Sequence, residues 1–219
     1  MTRKLYLLLM ICFTTLCGSS QTLRISYESG YGTYNLHNLK ALQIYMSEQI
    51  NGLPVKALVR FPGYINHSAS IGYYLTKNNI LGINVSYLTS GGRNHLSDYS
   101  GEYKLDMILN GYQFGLEGEH IFKLNNKFDI NANIKIGCIK SNLNITEYIK
   151  INDLDSNTTS DQYKQTSYFV EPSLNISYHF NKAIGVRTGL GYNLNSSTFN
   201  NNLIDWSGFR TRLGIAYSF

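Results

Sequence analysis

The sequence is poor in charge, in cysteine and in long apolar runs. Asp, Glu, Lys and Arg supply 15% of its residues, well below the quarter usual in soluble domains, yet the mean hydropathy is −0.20. No stretch of 18 apolar residues follows residue 20, which excludes a transmembrane helix there. Beyond that point Cys138 is the single cysteine, which excludes a disulfide framework or a cysteine metal site within one chain.

Strong charge and clustered metal ligands are also missing. The formal net charge is +5 and falls to +3 without Arg3 and Lys4, which is too mild to indicate nucleic-acid binding. The five histidines have no paired spacing typical of a metal site. We therefore expect no nucleic-acid partner, no cofactor and no metal.

The first twenty residues differ from the rest of the chain. Arg3 and Lys4 precede the apolar run Leu5 to Leu16, and small residues follow it. This order predicts a secretory signal peptide over 1–20, cleaved after Ser20, and a single domain over 21–219. A lipoprotein anchor at Cys17 is a weaker alternative, because Leu16 stands where a small residue is required.

Apolar and polar residues then alternate in eight segments. A period of two is typical of β-strands. The predicted strands cover 23–31, 55–75, 81–89, 101–122, 128–138, 168–180, 184–194 and 208–219. In the fourth strand the apolar phase changes near Asn110–Gly111, which we interpret as a β-bulge.

The connections alternate between short and long. Short turns rich in Asn and Lys fall at 77–79, 125–127 and 181–183, and long polar links at 35–54, 90–100, about 146–165 and 196–205. This layout predicts an all-β fold, an eight-stranded antiparallel transmembrane up-and-down β-barrel with both termini at the periplasmic end. Within the first long link, helical spacing over 36–50 predicts a short amphipathic helix in an extracellular loop.

Charged residues occupy the strand face opposite the apolar stripe. In a membrane barrel this face lines the lumen, and an eight-stranded lumen is narrow enough for side chains to fill it. The predicted polar cluster of the lumen comprises Arg24, Glu28, Glu117, Glu119, Lys135, Glu171, Arg187, Arg210 and Arg212. Counting through the turn at 125–127 places Lys135 opposite Glu117, and we expect these two side chains to form an ion pair.

The apolar face decides between a soluble barrel and a membrane barrel. Aromatic residues cluster near strand ends, as in the girdles of membrane barrels; they include Tyr73, Tyr87, Tyr178, Phe180, Trp206 and Tyr217. The last strand ends with Ile215, Tyr217 and Phe219 at alternate positions. This ending resembles the C-terminal signature that delivers bacterial outer-membrane proteins to their insertion machinery, which would then be a partner during assembly.

The chain also resembles small outer-membrane β-barrel proteins of Bacteroidetes-type bacteria, in an OmpX/OmpA-like architecture. The resemblance rests on four short motifs: RFPGY from Arg60, TSGGR from Thr89, DYSGEY from Asp98 and FVEPSL from Phe169. It implies an outer-membrane location with membrane lipid as the surroundings, and it names no activity.

The second and fourth strands are too long for the membrane alone, because a barrel strand crosses in about 9–11 residues. We expect an extracellular platform that includes Leu39, Leu42, Met46, Arg60, Phe61, Arg93, Asp98 and Tyr99. The leading functional hypothesis is a non-enzymatic structural or interaction protein with an extracellular or outer-membrane protein partner. A lipid-modifying enzyme, for which His67, Ser68 and Glu171 are candidates, and a narrow pore are the alternatives.

Overall fold

Eight strands and two short helices form the described part of the chain. The computed structural model describes residues 22–48, 61, 63–99, 101–151, 157–200 and 202–219. The strands are β1 Leu23–Gly32, β2 Tyr64–Thr76, β3 Asn79–Asp98, β4 Gly101–Lys123, β5 Phe128–Ile151, β6 Asn157–His179, β7 Ile184–Asn195 and β8 Gly208–Ser218. The helices are α1 His37–Glu48 and α2 Ser196–Asn200. The predicted signal segment 1–20 lies outside the described residues.

Each strand pairs antiparallel with the next, and β1 pairs with β8 to close the barrel. Tyr27, for example, lies opposite Ala69 of β2 and Ile215 of β8. Closure leaves no strand edge open within the hydrocarbon region, where an unpaired backbone group has no partner. The predicted fold class is confirmed, including the helix in the first long connection.

The three short turns are confirmed, and their Asn side chains stabilise two of them. The Oδ1 atom of Asn125 accepts hydrogen bonds from the backbone N–H groups of Lys127 at 2.8 Å and Phe128 at 2.9 Å. Asn181 accepts in the same way from Ala183 and Ile184. Such local side-chain bonds explain why Asn recurs in these turns.

The opposite end of the barrel differs from the prediction. The links expected at 90–100 and 146–165 are largely strand, because β3 continues to Asp98 and the gap between β5 and β6 is only 152–156. The strand expected from residue 55 begins at Tyr64, and Phe61 and Gly63 lie outside any strand. The remainder of 55–62 lies outside the described residues.

The barrel wall is uneven in height. The strands β3 to β6 have 20 to 24 residues, whereas β1, β2, β7 and β8 have 10 to 13. Since about 9–11 residues cross a bilayer, the four long strands project beyond it by roughly 10 residues, or about 35 Å along the strand. We call this four-stranded projection the extension.

Polarity inside and outside the membrane-spanning part is the reverse of that in a soluble barrel. Leu190 and Leu213 face outward with 65% and 61% of their surface exposed, while Glu171 and Arg210 face inward and are 0% and 1% exposed. An apolar exterior around a charged interior fits a lipid solvent. Among the described helices, none has the length and apolar character needed to cross a membrane.

The expected bulge in β4 is wrong. The register of β4 with β3 and with β5 runs without a shift through Gly111. On the inner face Leu105, Met107 and Leu109 are buried, whereas on the outer face Tyr112 is exposed. We expect this change of the apolar side to follow a change of surroundings, with lipid outside the barrel below Tyr112 and water outside the extension above it.

Candidate functional site

All nine residues of the predicted polar cluster lie buried in the lumen. They supply five cations and four carboxylates, and buried charges require partners. The contacts within this cluster therefore determine whether the lumen can conduct.

Glu119 of β4 joins two arginines from other strands. The guanidinium of Arg24 donates to both carboxylate oxygens, at 2.6 and 2.5 Å. The Nη2 atom of Arg187 donates to Oε2 at 2.8 Å. Two parallel bonds from one guanidinium fix the planes of both groups, so β1, β4 and β7 are linked across the lumen.

Glu171 of β6 forms a second centre closer to the extension. Arg210 donates from Nη1 to Oε2 at 2.7 Å, Arg212 hydrogen-bonds to Oε1, and Asn193 donates to Oε2 at 3.1 Å. Arg210 Nη1 also donates to Gln113 at 2.8 Å. This centre connects β8 with β4, β6 and β7.

The expected ion pair between Glu117 and Lys135 is wrong, although the two residues do lie opposite each other. Lys135 Nζ is 3.8 Å from Oε2 of Glu28 on β1, and Glu117 accepts a hydrogen bond from Asn133 at 2.5 Å. The narrow lumen allows the long lysine side chain to reach the far wall. There Glu28 also lies 3.6 Å from Arg187 Nε and 4.0 Å from Arg212 Nε, so it is held by three cations.

An apolar core fills the interior of the extension. It is lined by β3 to β6. It is covered by α1, by the segment that follows β1 and by the segment that precedes β8. Its buried members are Tyr34, Leu36, Leu39, Phe61, Leu88, Tyr103, Leu105, Met107, Leu109, Ile139, Leu143, Phe169, Ile204 and Trp206. We call this core, together with α1, the plug.

Trp206 lies at the base of the plug, where the polarity changes. Its indole N–H donates to Ser141 Oγ at 2.8 Å, and its ring meets Tyr34 edge-on with centroids 4.8 Å apart. A Cβ at Gly111 would lie 2.8 Å from the indole ring, so glycine is required for this close approach. Trp206 therefore belongs to the plug, and its predicted place in the aromatic girdle is wrong.

Two loops and β6 hold the plug in place. Asn35 donates from Nδ2 to Asp205 at 2.8 Å, and its backbone N–H donates to the carbonyl of Ser207 at 2.8 Å. The amide of Gln165 makes two bonds with the backbone of Ile204, at 2.7 and 3.1 Å. The first and last connections of the extracellular end are thus tied to each other and to the extension.

The predicted platform residues divide between the interior and the surface. Leu39 and Phe61 are buried, and Leu42 and Met46 pack against the same core; they stabilise the plug and are not an exposed platform. Their burial in the protein itself follows from the apolar interior of the extension. Arg60 lies outside the described residues.

The remaining platform residues lie on β3 and its turn. The Arg93 side chain is 62% exposed and forms a bidentate ion pair with Asp106 of β4. Asp98 ends β3, and Tyr99 in the turn is fully exposed. Burial raises the pKa of Asp106, but the hydrogen bond and charge of Arg93, followed by the charge of Lys104, outweigh burial and hold its pKa below its ordinary value.

The extension has two strand edges that are not paired with another strand in the described part of the chain. β2 pairs with β3 only as far as Tyr87, and β7 pairs with β6 only from Phe169 onward. At the β6 edge, residues 157–164 are exposed on both faces and pair with β5 alone. An unpaired edge of this length is a template for another strand.

The residues of the predicted assembly signature lie on the outer surface of β8 and at its end. Ile215, Tyr217 and Phe219 are 60%, 44% and 39% exposed, and the rings of Tyr217 and Phe219 meet with centroids 4.6 Å apart. They lie at the same end of the barrel as the short turns.

The candidate catalytic residues do not come together. His67 faces outward and contacts the hydroxyl of Tyr27 at 2.8 Å. Ser68 faces the lumen and accepts a hydrogen bond from Asn84 at 2.7 Å, while Glu171 is held by arginines. Within the described residues, no group of three His, Cys, Asp or Glu side chains could hold a metal ion.

Comparison with known proteins supports the fold. No protein-family model matches the chain, and no curated protein matches its sequence. The solved structure of Neisserial surface protein A has a TM-score of 0.50 and 12% identity, covering 92% of this chain and 99% of that one. At this identity the similarity shows the shared fold alone.

Two further solved structures are similar to this chain at lower TM-scores. The attachment invasion locus protein Ail of Yersinia pestis has a TM-score of 0.40 at 10% identity, covering 90% of this chain and 97% of that one. The N-terminal barrel domain of Pseudomonas aeruginosa OprF has a TM-score of 0.41 at 13% identity, covering 92% and 100%.

Sequence reasoning missed the plug. Its signals were the apolar pair Ile204 and Trp206 in an otherwise polar link and the inner-face residues Leu105, Met107 and Leu109. Each was visible, but only barrel closure brings them together.

Proposed function

We propose that this protein is a non-enzymatic outer-membrane barrel of the bacterial cell surface, of the OmpX/OmpA-like type from a Bacteroidetes-type bacterium. It binds an extended polypeptide through the free edge of β6. The observation that carries the proposal is the stretch 157–164, which is exposed on both faces and pairs only with β5. A polypeptide added there would gain main-chain hydrogen bonds, as in other cases of β-strand addition.

The interior of the barrel supports a binding role over transport. The ion-pair cluster occupies the membrane-spanning lumen, and the plug covers it. We expect no steady conductance in planar lipid bilayers. We also expect an unchanged lipid composition, measured by mass spectrometry, in membranes with and without the protein. A stable open channel or a modified lipid would contradict the proposal.

Proline substitution at the free edge tests the binding mode. Neighbouring residues of a strand direct their N–H groups to opposite sides. Of the two single variants Ser160→Pro and Asp161→Pro, one therefore removes an N–H donor from the free edge, and the other removes an N–H donor from the side that faces β5. Wild type purified from native membranes in mild detergent should retain its partner, and the free-edge proline variant should lose it.

Alanine at the same two positions is the matched control. Ser160→Ala and Asp161→Ala keep both N–H groups and change only the side chains. Retention of the partner by both alanine variants is expected for main-chain recognition. Release of the partner by the alanine variants, or retention by both proline variants, would contradict strand addition at β6.

A further inference from the structure

A separate cavity opens at the end of the barrel that carries the short turns. It has a volume of about 690 Å³, within the range of small-molecule sites. The ion-pair centre around Glu119 closes it from the rest of the lumen, so it is a blind pocket. We call it the turn-side vestibule; in the orientation proposed above it faces the periplasm.

Positive charge dominates the vestibule. One carboxylate lines it, that of Asp129, and His179 Nε2 lies 2.7 Å from that carboxylate. The cationic side chains that line it are Arg24, Lys77, Lys123, Lys127, Lys182 and Arg187. A concave surface lined by one sign of charge concentrates the field and attracts ions of the opposite sign.

Three of these lysines have no acidic partner in the described part of the chain. Lys77, Lys123 and Lys127 are exposed, come from two different turns and the end of β4, and make no ion pair with a described carboxylate. Simple solvation would explain one such lysine. Three of them around one cavity form a ring of positive charge that no described carboxylate matches.

The floor of the vestibule contains a buried donor that lacks an acceptor. Arg187 is 2% exposed, and its Nη2 atom donates to Glu119 at 2.8 Å. Its Nε atom lies 3.6 Å from Oε1 of Glu28 in an ion pair, and its Nη1 atom makes no hydrogen bond with any described residue. Buried donors are nearly always satisfied, and an exception requires an explanation such as a bound ion.

From this geometry we infer that the turn-side vestibule binds a multiply charged phosphate compound, such as a diphosphate or triphosphate group. The rim lysines neutralise the charges of the ligand, and the Nη1 donor of Arg187 is available at the floor. A ligand with a single carboxylate would leave most of the positive charge of the lysine ring without a counter-charge. A ligand with several negative charges therefore fits better. This inference goes beyond the proposed function, because the vestibule and the β6 edge lie at opposite ends of the barrel.

Titration calorimetry with sodium tripolyphosphate tests the inference, using the full protein in an uncharged detergent. We expect saturable binding that weakens as ionic strength rises, because salt screens exposed charges. The variant Lys77→Gln/Lys123→Gln/Lys127→Gln should bind at least about tenfold more weakly. These residues are exposed, so heat-modifiable gel mobility should remain and would show that the variant is folded.

The matched control removes three lysines from the extension at the other end of the barrel. Lys104→Gln/Lys140→Gln/Lys150→Gln changes the net charge by the same amount, and its affinity should stay within about twofold of wild type. Equal weakening in both triple variants would show a net-charge effect and overturn the site. Absence of saturable binding at low salt would overturn it as well, and neither result bears on the β6 edge.

A second comparison identifies the source of the phosphate. The titration is repeated in phosphatidylcholine nanodiscs with and without cardiolipin, which carries two phosphate groups. Competition by cardiolipin would support a lipid headgroup as the occupant, and equal affinity in both discs would support a soluble phosphate compound.

Discussion

At the scale of single residues, the lumen depends on complete sets of partners. Glu119 accepts bonds from Arg24 and Arg187, whereas Glu117 accepts one from Asn133 and has one oxygen without a described partner. Removing one member of a buried ion pair leaves an uncompensated charge. The two carboxylates therefore differ in importance although they are two residues apart on one strand.

We predict that Glu119→Gln lowers the free energy of unfolding by about 3–5 kcal/mol, because the buried guanidinium of Arg24 loses its anion and that of Arg187 loses the nearer of its two anions. Glu117→Gln should cost clearly less and is the matched control. Urea unfolding followed by far-ultraviolet circular dichroism measures both. Equal losses in the two variants would contradict the partner assignment.

Gly111 and Gly118 provide a second pair of positions on β4. A Cβ at Gly111 would lie 2.8 Å from the indole of Trp206, whereas a Cβ at Gly118 has its nearest neighbour at 3.7 Å. We predict that Gly111→Ala displaces Trp206 and costs about 1–3 kcal/mol, while Gly118→Ala changes little. Trp206 is the single tryptophan of the chain, so its fluorescence reports the displacement directly; an unchanged spectrum in Gly111→Ala would contradict the packing.

At the scale of the elements, α1 completes the plug and does not contribute to the barrel wall. Leu36 and Leu39 are buried in the core of the extension, and Gln43 donates to Asn94 of β3 at 3.3 Å. The strand ladders of the barrel run without contribution from α1. Loss of the helix should therefore affect the extension alone.

We predict that replacing His37–Glu48 with a flexible linker exposes the core of the extension and leaves the membrane barrel folded. Trp206 fluorescence should shift to the red and protease should cut the tips of β4 to β6, because Leu88, Leu105 and Met107 lose their cover. Gel mobility with and without heating checks the barrel. Loss of the heat-modifiable form would mean that α1 is required for the barrel itself.

Local pattern was sufficient for the short turns and for most strands. Counting through Asn125 to Lys127 placed Lys135 opposite Glu117 correctly, because the register of a hairpin depends on its turn. The partner of Lys135 could not be predicted in this way, since Glu28 reaches it only when β1 closes the barrel. A contact between distant strands depends on the whole ring.

At the scale of the whole molecule, the solvent changes along a single strand. The segments 90–98 and 139–151 lack an outward apolar stripe because water surrounds them. Without that stripe, 90–98 and the end of β5 were predicted as loops. In β4 the apolar residues change face at Gly111 with an intact register. The alternation of residues shows which side chains share a face of the strand, but it does not show which solvent that face contacts. The change of apolar face at Gly111 was therefore interpreted as a bulge.

Two outward-facing residues of β4 test where the membrane ends. Leu116 and Ile108 lie on the same face of the same strand and are 56% and 54% exposed. Between them lies Tyr112, whose ring packs against Tyr87 of the predicted girdle with centroids 5.2 Å apart. Arginine near the bilayer midplane costs a membrane barrel about 2–4 kcal/mol and much less near or beyond the interface. We predict that Leu116→Arg impairs folding into lipid vesicles, whereas Ile108→Arg folds like wild type, measured by heat-modifiable mobility after refolding. Since exposure and strand position are matched, the surrounding solvent is the main remaining difference, and equal tolerance of both arginines would place the lipid boundary elsewhere.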